Sequence, residues 1–245
     1  MRTLLLDIET SPNTAFVWGL WEQNISHDQV KETSSILCWS AKWLHEKTVM
    51  FQSVQHTPIK KMLAGIHKLL GQADVVVHYN GGKFDMPVLN KEFVKASFPP
   101  PPSTQQIDLY RVVKRVFRFE SNKLDAVCQA LGLSKKVKHQ GFGMWVGCME
   151  GDKACWKEME QYNRNDVVIL EQLYHRLLPW LPTRPHAGLI NGKADACPAC
   201  GVTGKLQSRG VLAARTAVYQ RFHCTACGAW CRARKSDQGG APVYV

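Results

Sequence analysis

The sequence lacks a long apolar run: no stretch of its 245 residues approaches the roughly 20 uninterrupted apolar residues that a membrane-spanning helix needs. Its amino terminus also lacks the apolar region of a signal peptide, because Asp7 interrupts the first apolar segment before it is long enough. These two absences argue against an integral membrane protein and against a secreted one. We therefore expect no membrane partner and a cytoplasmic location.

Acidic residues are scarce in the last quarter of the chain. From residue 183 onward there are nine Lys and Arg but two acids, whereas the first 182 residues hold 22 Lys and Arg and 18 acids. Most of the formal charge of +11 therefore lies near the carboxyl terminus. Such a basic region favours a polyanionic partner and suggests nucleic acid, although solubility alone is an alternative explanation.

The nine cysteines lack the distribution of a disulfide framework. Four of them form two Cys-x-x-Cys-Gly pairs: Cys197 with Cys200, and Cys224 with Cys227. This pattern predicts four thiolate ligands for one structural Zn²⁺ in a reducing compartment. We expect a small four-cysteine zinc ribbon over residues 195–235. It would bind nucleic acid or dock on a protein, and its charge favours nucleic acid.

Arginine and aromatic residues alternate in the predicted ribbon, which is typical of a nucleic-acid surface. Arg215 and Arg221 are our candidate contacts there. Residues 183–194 are rich in Gly and Pro and poor in large apolar side chains, so we interpret them as a linker. Residues 236–245 are expected to form a flexible tail.

Short apolar segments that alternate with amphipathic ones predict an α/β fold, with a mixed central sheet flanked by helices, over residues 1–182. The predicted strands are TLLLDIET, ILCWSAKWL, TVMFQSV, ADVVVHYN and TQQIDLY, of which the second and third would form a hairpin. The predicted helices are IKKMLAGIHKLLG, PVLNKEFVKASF, NKLDAVCQALGL and ACWKEMEQYNRNDVVILEQLYHRLLPWL.

Four carboxylates stand next to strongly apolar segments. Asp7 and Glu9 are two apart on a predicted strand and share a face, Asp85 lies at a strand-to-helix turn, and Asp166 follows Tyr162 by one helical turn. Taken singly, they could be solvated strand-end acids, a helix cap and a surface acid. Taken together, acids without basic partners predict a site for hard cations such as Mg²⁺ or Mn²⁺.

The order DIE, NxxxFD and YxxxD resembles the three motifs of the DEDD-type 3′–5′ exonucleases, the proofreading-exonuclease family with a ribonuclease H-like fold. The tyrosine of the third motif resembles the DEDDy branch, since the histidine branch would have His at the position of Gln161. The resemblance covers about residues 1–180. The arrangement with a terminal zinc module is similar to phage-encoded members, which would place the protein in the cytoplasm of a bacterial host.

This resemblance implies a two-metal-ion 3′–5′ exonuclease that releases nucleoside 5′-monophosphates from the 3′ end of single-stranded DNA. Asp7 would bridge two Mg²⁺ or Mn²⁺ ions, Glu9 and Asp166 would complete one, Asp85 would support the other, and Tyr162 would hold the attacking water. The alternatives are an exoribonuclease and a catalytically silent nucleic-acid-binding or scaffold protein. Any proofreading role would need a polymerase, or another replication or repair protein, in trans.

Several polar residues near the motifs are candidates for supporting roles. Asn80 is expected to brace the turn before Asp85 and, like Lys123, to lie near the nucleic acid. Asp108 is expected to cap a helix. His78 and His139 are candidates for phosphate contacts, with a structural or solvated role as the alternative.

Residues 11–34, which follow the first motif, are too many for a hairpin loop and include Trp18 and Trp21. Aromatic side chains beside a single-strand channel can stack on bases, which is worth about 1–3 kcal/mol for each base. Packing in the protein core is the alternative for both tryptophans.

Overall fold

A five-stranded mixed sheet lies at the centre of the first of two compact units, which comprises residues 2–173; the second unit begins at Tyr174. No helix within the described part of the chain is both long and apolar enough to cross a membrane. His139 and all of the predicted tail except Ser236 lie outside that part. The computed structural model describes residues 1–134, 140–182, 184–190 and 192–236.

The strands of the first unit are β1 (Thr3–Thr10), β2 (Thr14–Ala15), β3 (Val30–Glu32), β4 (Ile36–Trp43), β5 (Met50–Ser53), β6 (Val75–His78) and β7 (Gln105–Asp108). Its helices are α1 (Ile59–Gln72), α2 (Asp85–Lys95), α3 (Leu109–Val116), α4 (Leu124–Ala130), α5 (Phe142–Met149) and α6 (Lys153–Leu177), which continues into the second unit. The sheet order is β5-β4-β1-β6-β7. Strand β4 is antiparallel to β1 and β5, whereas β6 is parallel to β1 and β7.

Strand β1 divides its side chains between the two faces of the sheet. Leu4, Leu6 and Ile8 belong to a buried cluster with apolar residues of α1 and α2. Because side chains alternate along a strand, Asp7 and Glu9 lie on the opposite face. The alternation of side chains along β1 therefore places three apolar residues on one face of the sheet and the two carboxylates on the other.

The second core of this unit lies on the face of Asp7 and Glu9. Cys38 of β4 packs there with Met144 and Cys148 of α5 and with Trp156 and Met159 of α6. This cluster holds α6 against the central strands. The predicted mixed α/β sheet with flanking helices is thus confirmed.

Two helices of the first unit were not predicted. The strand expected to reach Tyr110 ends at Asp108, because the Asp108 side chain accepts a hydrogen bond from the Tyr110 N–H at 3.1 Å and begins α3. This capping role of Asp108 was predicted correctly. Helix α5 is short and contains two glycines, so its intrinsic helix propensity is weak. Packing of its buried residues on β4 and α6 stabilises it.

The second unit contains α7 (Ala187–Ile190) and the strands β8 (Leu206–Ala213), β9 (Val218–Cys224) and β10 (Trp230–Arg232). These strands form an antiparallel sheet in the order β10-β9-β8. Helix α7 falls inside residues 183–194, which composition alone presented as a linker. Its Ala187 N–H donates to the Pro198 carbonyl at 3.1 Å, so this segment is attached to the first Cys-x-x-Cys pair.

Candidate active site

The first part of the site is the end of β1. Asp7 lies opposite Ser40 and Glu9 lies opposite Cys38 in the antiparallel pairing of β1 with β4. Both carboxylates are half-buried. Burial raises the pKa of the Cys38 thiol, and the negative charges of Glu9 and Asp7 raise it further. The strand pairing therefore concentrates negative charge on this face of the sheet.

Helix α6 supplies the second part. Carboxylate oxygens of Asp7, Glu9 and Asp166 all lie within 4.8 Å of one another, and Asp166 is buried. The side-chain amide of Asn163 donates to Asp7 Oδ2 at 2.6 Å. Tyr162 lies one turn before Asp166, and its ring meets that of Trp145 edge to face at 6.0 Å between centroids. Segments about 160 residues apart in the sequence thus meet at one point.

Asp85 is the third part, and it is the first residue of α2. Asp85 Oδ1 accepts a hydrogen bond from the Ile8 N–H at 3.2 Å, between Asp7 and Glu9 in the chain. Asp85 as a whole residue is 4% exposed. Burial raises its pKa to about 7, the charge of Asp108 adds to the rise, and backbone hydrogen bonds oppose it. Asp85 adjoins the triad of Asp7, Glu9 and Asp166 without being one of its members.

The turn before Asp85 is held by buried polar residues. Asn80 has a φ of +65°, and its N–H donates to Asp108 Oδ1 at 2.8 Å. His78 is fully buried and its Nδ1 accepts from the Gly81 N–H at 3.0 Å, while burial lowers its pKa. A Cβ at Gly81 would lie 2.6 Å from His78 Cγ, so only glycine fits there. His78 is therefore a structural residue. Asn80 takes part in the turn through its backbone N–H, and the bracing role of its side chain stays a prediction.

An open cleft of about 760 Å³ adjoins Tyr162. It brings together three residues selected from the sequence, Asn80, Lys123 and Tyr162. Tyr79 and Tyr110, which were not selected, also line it, with their rings edge to face at 5.8 Å. Tyr79 directly precedes Asn80 and Tyr110 follows Asp108 by two residues, and these positions were the signal available in the sequence. The cleft is lined by Tyr79, Asn80, Tyr110, Asn122, Lys123, Leu124, Asp125 and Tyr162.

Trp18 and Trp21 are exposed, with 99% and 84% of their surfaces accessible. The alternative that they pack in the core is therefore wrong. They belong to the segment between β2 and β3, which is closed by a hydrogen bond from the Phe16 N–H to the Gln29 carbonyl at 2.9 Å. Neither Trp18 nor Trp21 is among the described residues that line the cleft.

The four paired cysteines of the second unit form a separate cluster. Cys197 Sγ lies 3.8 Å from Cys227 Sγ, Cys200 Sγ lies 3.8 Å from Cys224 Sγ, and all four sulfurs lie within 4.8 Å of one another. Burial disfavours the Cys224 thiolate, but backbone hydrogen bonds outweigh it and lower the pKa of this thiol to about 7. Cys231 is not part of the cluster. The arrangement fits a zinc module.

The two clusters suit different metals. The triad around Asp7 offers only oxygen, and the buried Asp85 beside it would gain from a nearby positive charge, as expected of a site for hard divalent cations. The cysteine cluster offers only sulfur, which suits a softer ion. Both sets of residues therefore fit the metals that their donor atoms imply.

The fold and its acidic site are those of a ribonuclease H-like protein. Residues 4–178 match the model of the RNase_H superfamily (RNase_H_2), and the chain belongs to that superfamily. Nucleases commonly use divalent metals to hydrolyse phosphodiester bonds, and the acidic triad offers the oxygen ligands that such ions require.

One solved structure similar to this chain is the family B DNA polymerase from the hyperthermophilic archaeon Pyrobaculum calidifontis. The TM-score is 0.55 and the sequence identity 18%, over 73% of this chain and 24% of the polymerase. This chain thus spans about a quarter of the polymerase that it matches, and the likeness concerns the fold. No curated protein gives a significant match.

Proposed function

We propose that the protein is a 3′–5′ exonuclease of the DEDDy type, which removes nucleoside 5′-monophosphates from the 3′ end of single-stranded DNA. The observation that carries this proposal is the meeting of the Asp7, Glu9 and Asp166 carboxylates within 4.8 Å, one helical turn from Tyr162. Membership of the RNase_H superfamily supports the hydrolysis of nucleic acid. The 3′–5′ direction rests on the motif resemblance.

Asp7, Glu9, Asp85 and Asp166 would hold two Mg²⁺ or Mn²⁺ ions. Two such ions, when bound, lower the pKa of an attacking water and stabilise the leaving oxygen. Asn163 fixes one oxygen of Asp7, so that carboxylate is oriented before any ion arrives. Asp85 must be ionised to act as a ligand, and its pKa of about 7 makes this easiest at neutral to alkaline pH.

Tyr162 would orient the attacking water through its hydroxyl group. A phenol normally ionises near pH 10, so a positioning role is easier to reconcile with neutral pH than general-base action. The ring is 9% exposed and packs on Trp145, which fixes the direction of the hydroxyl. Its place at the edge of the cleft connects the acidic triad to the space available for substrate.

The cleft would receive the 3′-terminal nucleotide, with Tyr79 and Tyr110 as apolar walls and Lys123 as a cation for phosphate. Trp18 and Trp21 would stack on bases further from the end, since both indoles are exposed. The four-cysteine module, a zinc ribbon in this proposal, would hold one structural Zn²⁺. A polymerase or another replication or repair protein is the proposed partner in trans.

The products of the reaction test this proposal. Single-stranded DNA is incubated with the protein and Mg²⁺, and the nucleotides released at early times are separated by chromatography. We expect nucleoside 5′-monophosphates derived from the 3′ end, and no release from a strand whose 3′ end is blocked. Release of oligonucleotides from the blocked strand would contradict exonuclease action, and release from RNA alone would change the substrate class.

A further inference from the structure

One face of the sheet in the second unit combines arginine with aromatic side chains. Tyr219, Arg221 and His223 alternate along β9 and share a face, and Arg232 and Trp230 of β10 lie opposite Arg221 and His223 in the antiparallel pairing. We name these five residues the arginine–aromatic face. It belongs to the unit that begins at Tyr174 and contains no residue of the acidic site.

The charge on this face is unbalanced. Arg221 and Arg232 are direct cross-strand partners, and like charges in that position destabilise a sheet. Residues 206–232 contain four arginines and neither an acid nor a lysine. Two arginines opposed across neighbouring strands, in a stretch of sequence without acids, are what an anion-binding surface requires.

Both guanidinium groups are held by aromatic rings. Arg221 Cζ lies 4.9 Å from the centroid of the Trp230 ring, and Arg232 Cζ lies 3.8 Å from that of Tyr219. Arg221 also donates from Nε to the Arg209 carbonyl at 3.1 Å. These contacts reduce the side-chain entropy that each arginine would lose on binding a ligand. Arginine is suited to this role because its planar fork can bind two oxygens of one phosphate.

Exposed ring surface adjoins the two arginines. Trp230 remains 56% exposed although it contacts Arg221 and the ring of His223, whose centroid is 4.8 Å away. An accessible indole among phosphate-binding cations is a stacking platform for a base. An acidic protein segment would use the arginines but would gain little from a flat ring beside them.

We propose that the arginine–aromatic face binds single-stranded nucleic acid, with Arg221 and Arg232 on consecutive phosphates and Trp230 against a base. This binding site is separate from the acidic cluster and does not depend on whether that cluster cleaves nucleic acid. The face would hold the strand in a way that tolerates any sequence, because every base offers a ring surface for stacking.

Binding of a fluorescent 20-nucleotide oligo-dT by the full chain tests this proposal. All proteins contain Asp7→Ala, so that cleavage does not disturb the equilibrium, and anisotropy gives Kd over a range of salt concentrations. We expect R221Q/R232Q to weaken binding at least tenfold and to lower the slope of log Kd against log salt by about 1.4, the value for two lost phosphate contacts. The control K205Q/K235Q removes the same charge at exposed positions of the same unit and should weaken binding less than threefold.

Further variants separate the roles of charge, shape and ring. R221K/R232K should bind with an intermediate Kd and an unchanged salt slope. W230L should weaken binding of oligo-dT about 5- to 100-fold, in line with the loss of one base stack, but leave binding of an abasic strand of equal length unchanged. Zinc content, measured for every variant, shows whether the cysteine cluster is intact.

Three results would overturn the proposal. The first is an equal effect of R221Q/R232Q and its control pair, which would mean that only total charge matters. The second is an equal effect of W230L on oligo-dT and on the abasic strand. The third is displacement of oligo-dT by a polyglutamate peptide of the same charge at the same concentration, which would assign the face to an acidic protein segment.

Discussion

Asp85 illustrates at the scale of one residue what the sequence predicts and what it does not. The spacing NGGKFD after an apolar segment was sufficient to select Asp85, but capping of the following helix was the alternative interpretation. In the structure Asp85 Oδ1 accepts from the Ile8 N–H of β1, which brings this carboxyl beside the strand that carries Asp7 and Glu9. Neither its near-complete burial nor its raised pKa can be deduced from the sequence, since both arise from residues distant along the chain.

The raised pKa of Asp85 predicts how stability depends on pH when divalent metal is absent. The folded protein keeps the proton up to about pH 7, whereas an unfolded chain releases it near pH 4. Stability should therefore fall as the pH rises from about 4 to 7, by roughly 4 kcal/mol at most. Asp85→Asn removes this loss.

Melting temperatures of the two proteins, measured without Mg²⁺ at pH 5 and pH 8, test this prediction. We expect Asp85→Asn to melt several degrees above the unsubstituted protein at pH 8 and much closer to it at pH 5. Added Mg²⁺ should raise the melting temperature of the unsubstituted protein more than that of the variant. A difference between the two proteins that is independent of pH would contradict the raised pKa.

Asn163 is a residue that the motif pattern did not reveal, although it directly follows Tyr162. It is fully buried, and its amide holds Asp7 Oδ2 at 2.6 Å. Groups that orient metal ligands typically affect metal affinity or activity 10- to 100-fold. We expect Asn163→Ala to lower nuclease activity by that factor and to raise the Mg²⁺ concentration required for half of the maximal activity.

The matched control is Gln161→Ala, which removes an exposed amide from the same helix turn. It should leave both the activity and the Mg²⁺ requirement unchanged. Calorimetric titration with Mn²⁺ gives a second measure that does not depend on cleavage. If Asn163→Ala loses activity while its Mn²⁺ affinity equals that of the control, then the contact with Asp7 does not serve the metal site.

At the scale of the elements, the regular part of the fold followed from local pattern. Strands β1, β4 and β6 are short apolar segments, α1 has its apolar residues at helical spacing, and all of these were predicted. The two helices that were not predicted, α3 and α5, are stabilised by interactions that local sequence pattern does not show. A cap by Asp108 turns a predicted strand end into α3, and burial against β4 and α6 stabilises α5.

The attachment of α6 to the sheet determines where Asp166 lies. Lys42 of β4 and Glu171 of α6 form an ion pair of 2.5 Å, with 7% and 16% of their side chains exposed. Removing one partner of such a pair leaves a buried charge and typically costs about 3–5 kcal/mol, whereas replacing both is close to neutral. We expect Glu171→Ala to lower the free energy of unfolding by about 3 kcal/mol and K42M/E171M to restore most of it.

Urea denaturation measures these changes, with Glu160→Ala as the control on the same helix. Glu160 pairs with Arg164 at 2.7 Å, but both side chains are more than a third exposed. Its loss should cost less than about 1 kcal/mol. Equal decreases in the free energy of unfolding for Glu160→Ala and Glu171→Ala would show that the Lys42–Glu171 pair does not stabilise the packing of α6 on the sheet.

At the scale of the whole molecule, the sequence predicted which residues belong together better than how they meet. The carboxylates of Asp7, Glu9 and Asp166 converge although Asp166 is distant in the chain, and motif order was enough to group them. The adjoining position of Asp85 depends on the junction of β1 with α2, which no local pattern specifies. For Trp18 and Trp21 the sequence left stacking on bases and packing in the core as alternatives, and the structure shows both indoles exposed.

The buried cluster around the four cysteines contains only alanines besides Cys197 and Cys224, so metal should supply much of the folding free energy of this part of the second unit. We expect one zinc ion for each chain and a large loss of zinc in Cys197→Ser. Trypsin should then cut at Arg209 and Arg221, whose strands β8 and β9 lose their support, while fragments from residues 2–173 persist. Cys231→Ser is the control, and it should keep both the zinc and the protection from trypsin.

The fate of a single-stranded DNA labelled at its 5′ end tests the central claim most directly. The protein and its Asp7→Ala variant are each incubated with this strand, with Mg²⁺ and without divalent metal, and the products are separated by length. We predict a ladder of strands shortened from the 3′ end that requires Mg²⁺ and is absent for Asp7→Ala. Intact DNA in every sample, or an equal ladder from the variant, would contradict the assignment of the acidic cluster as a nuclease site.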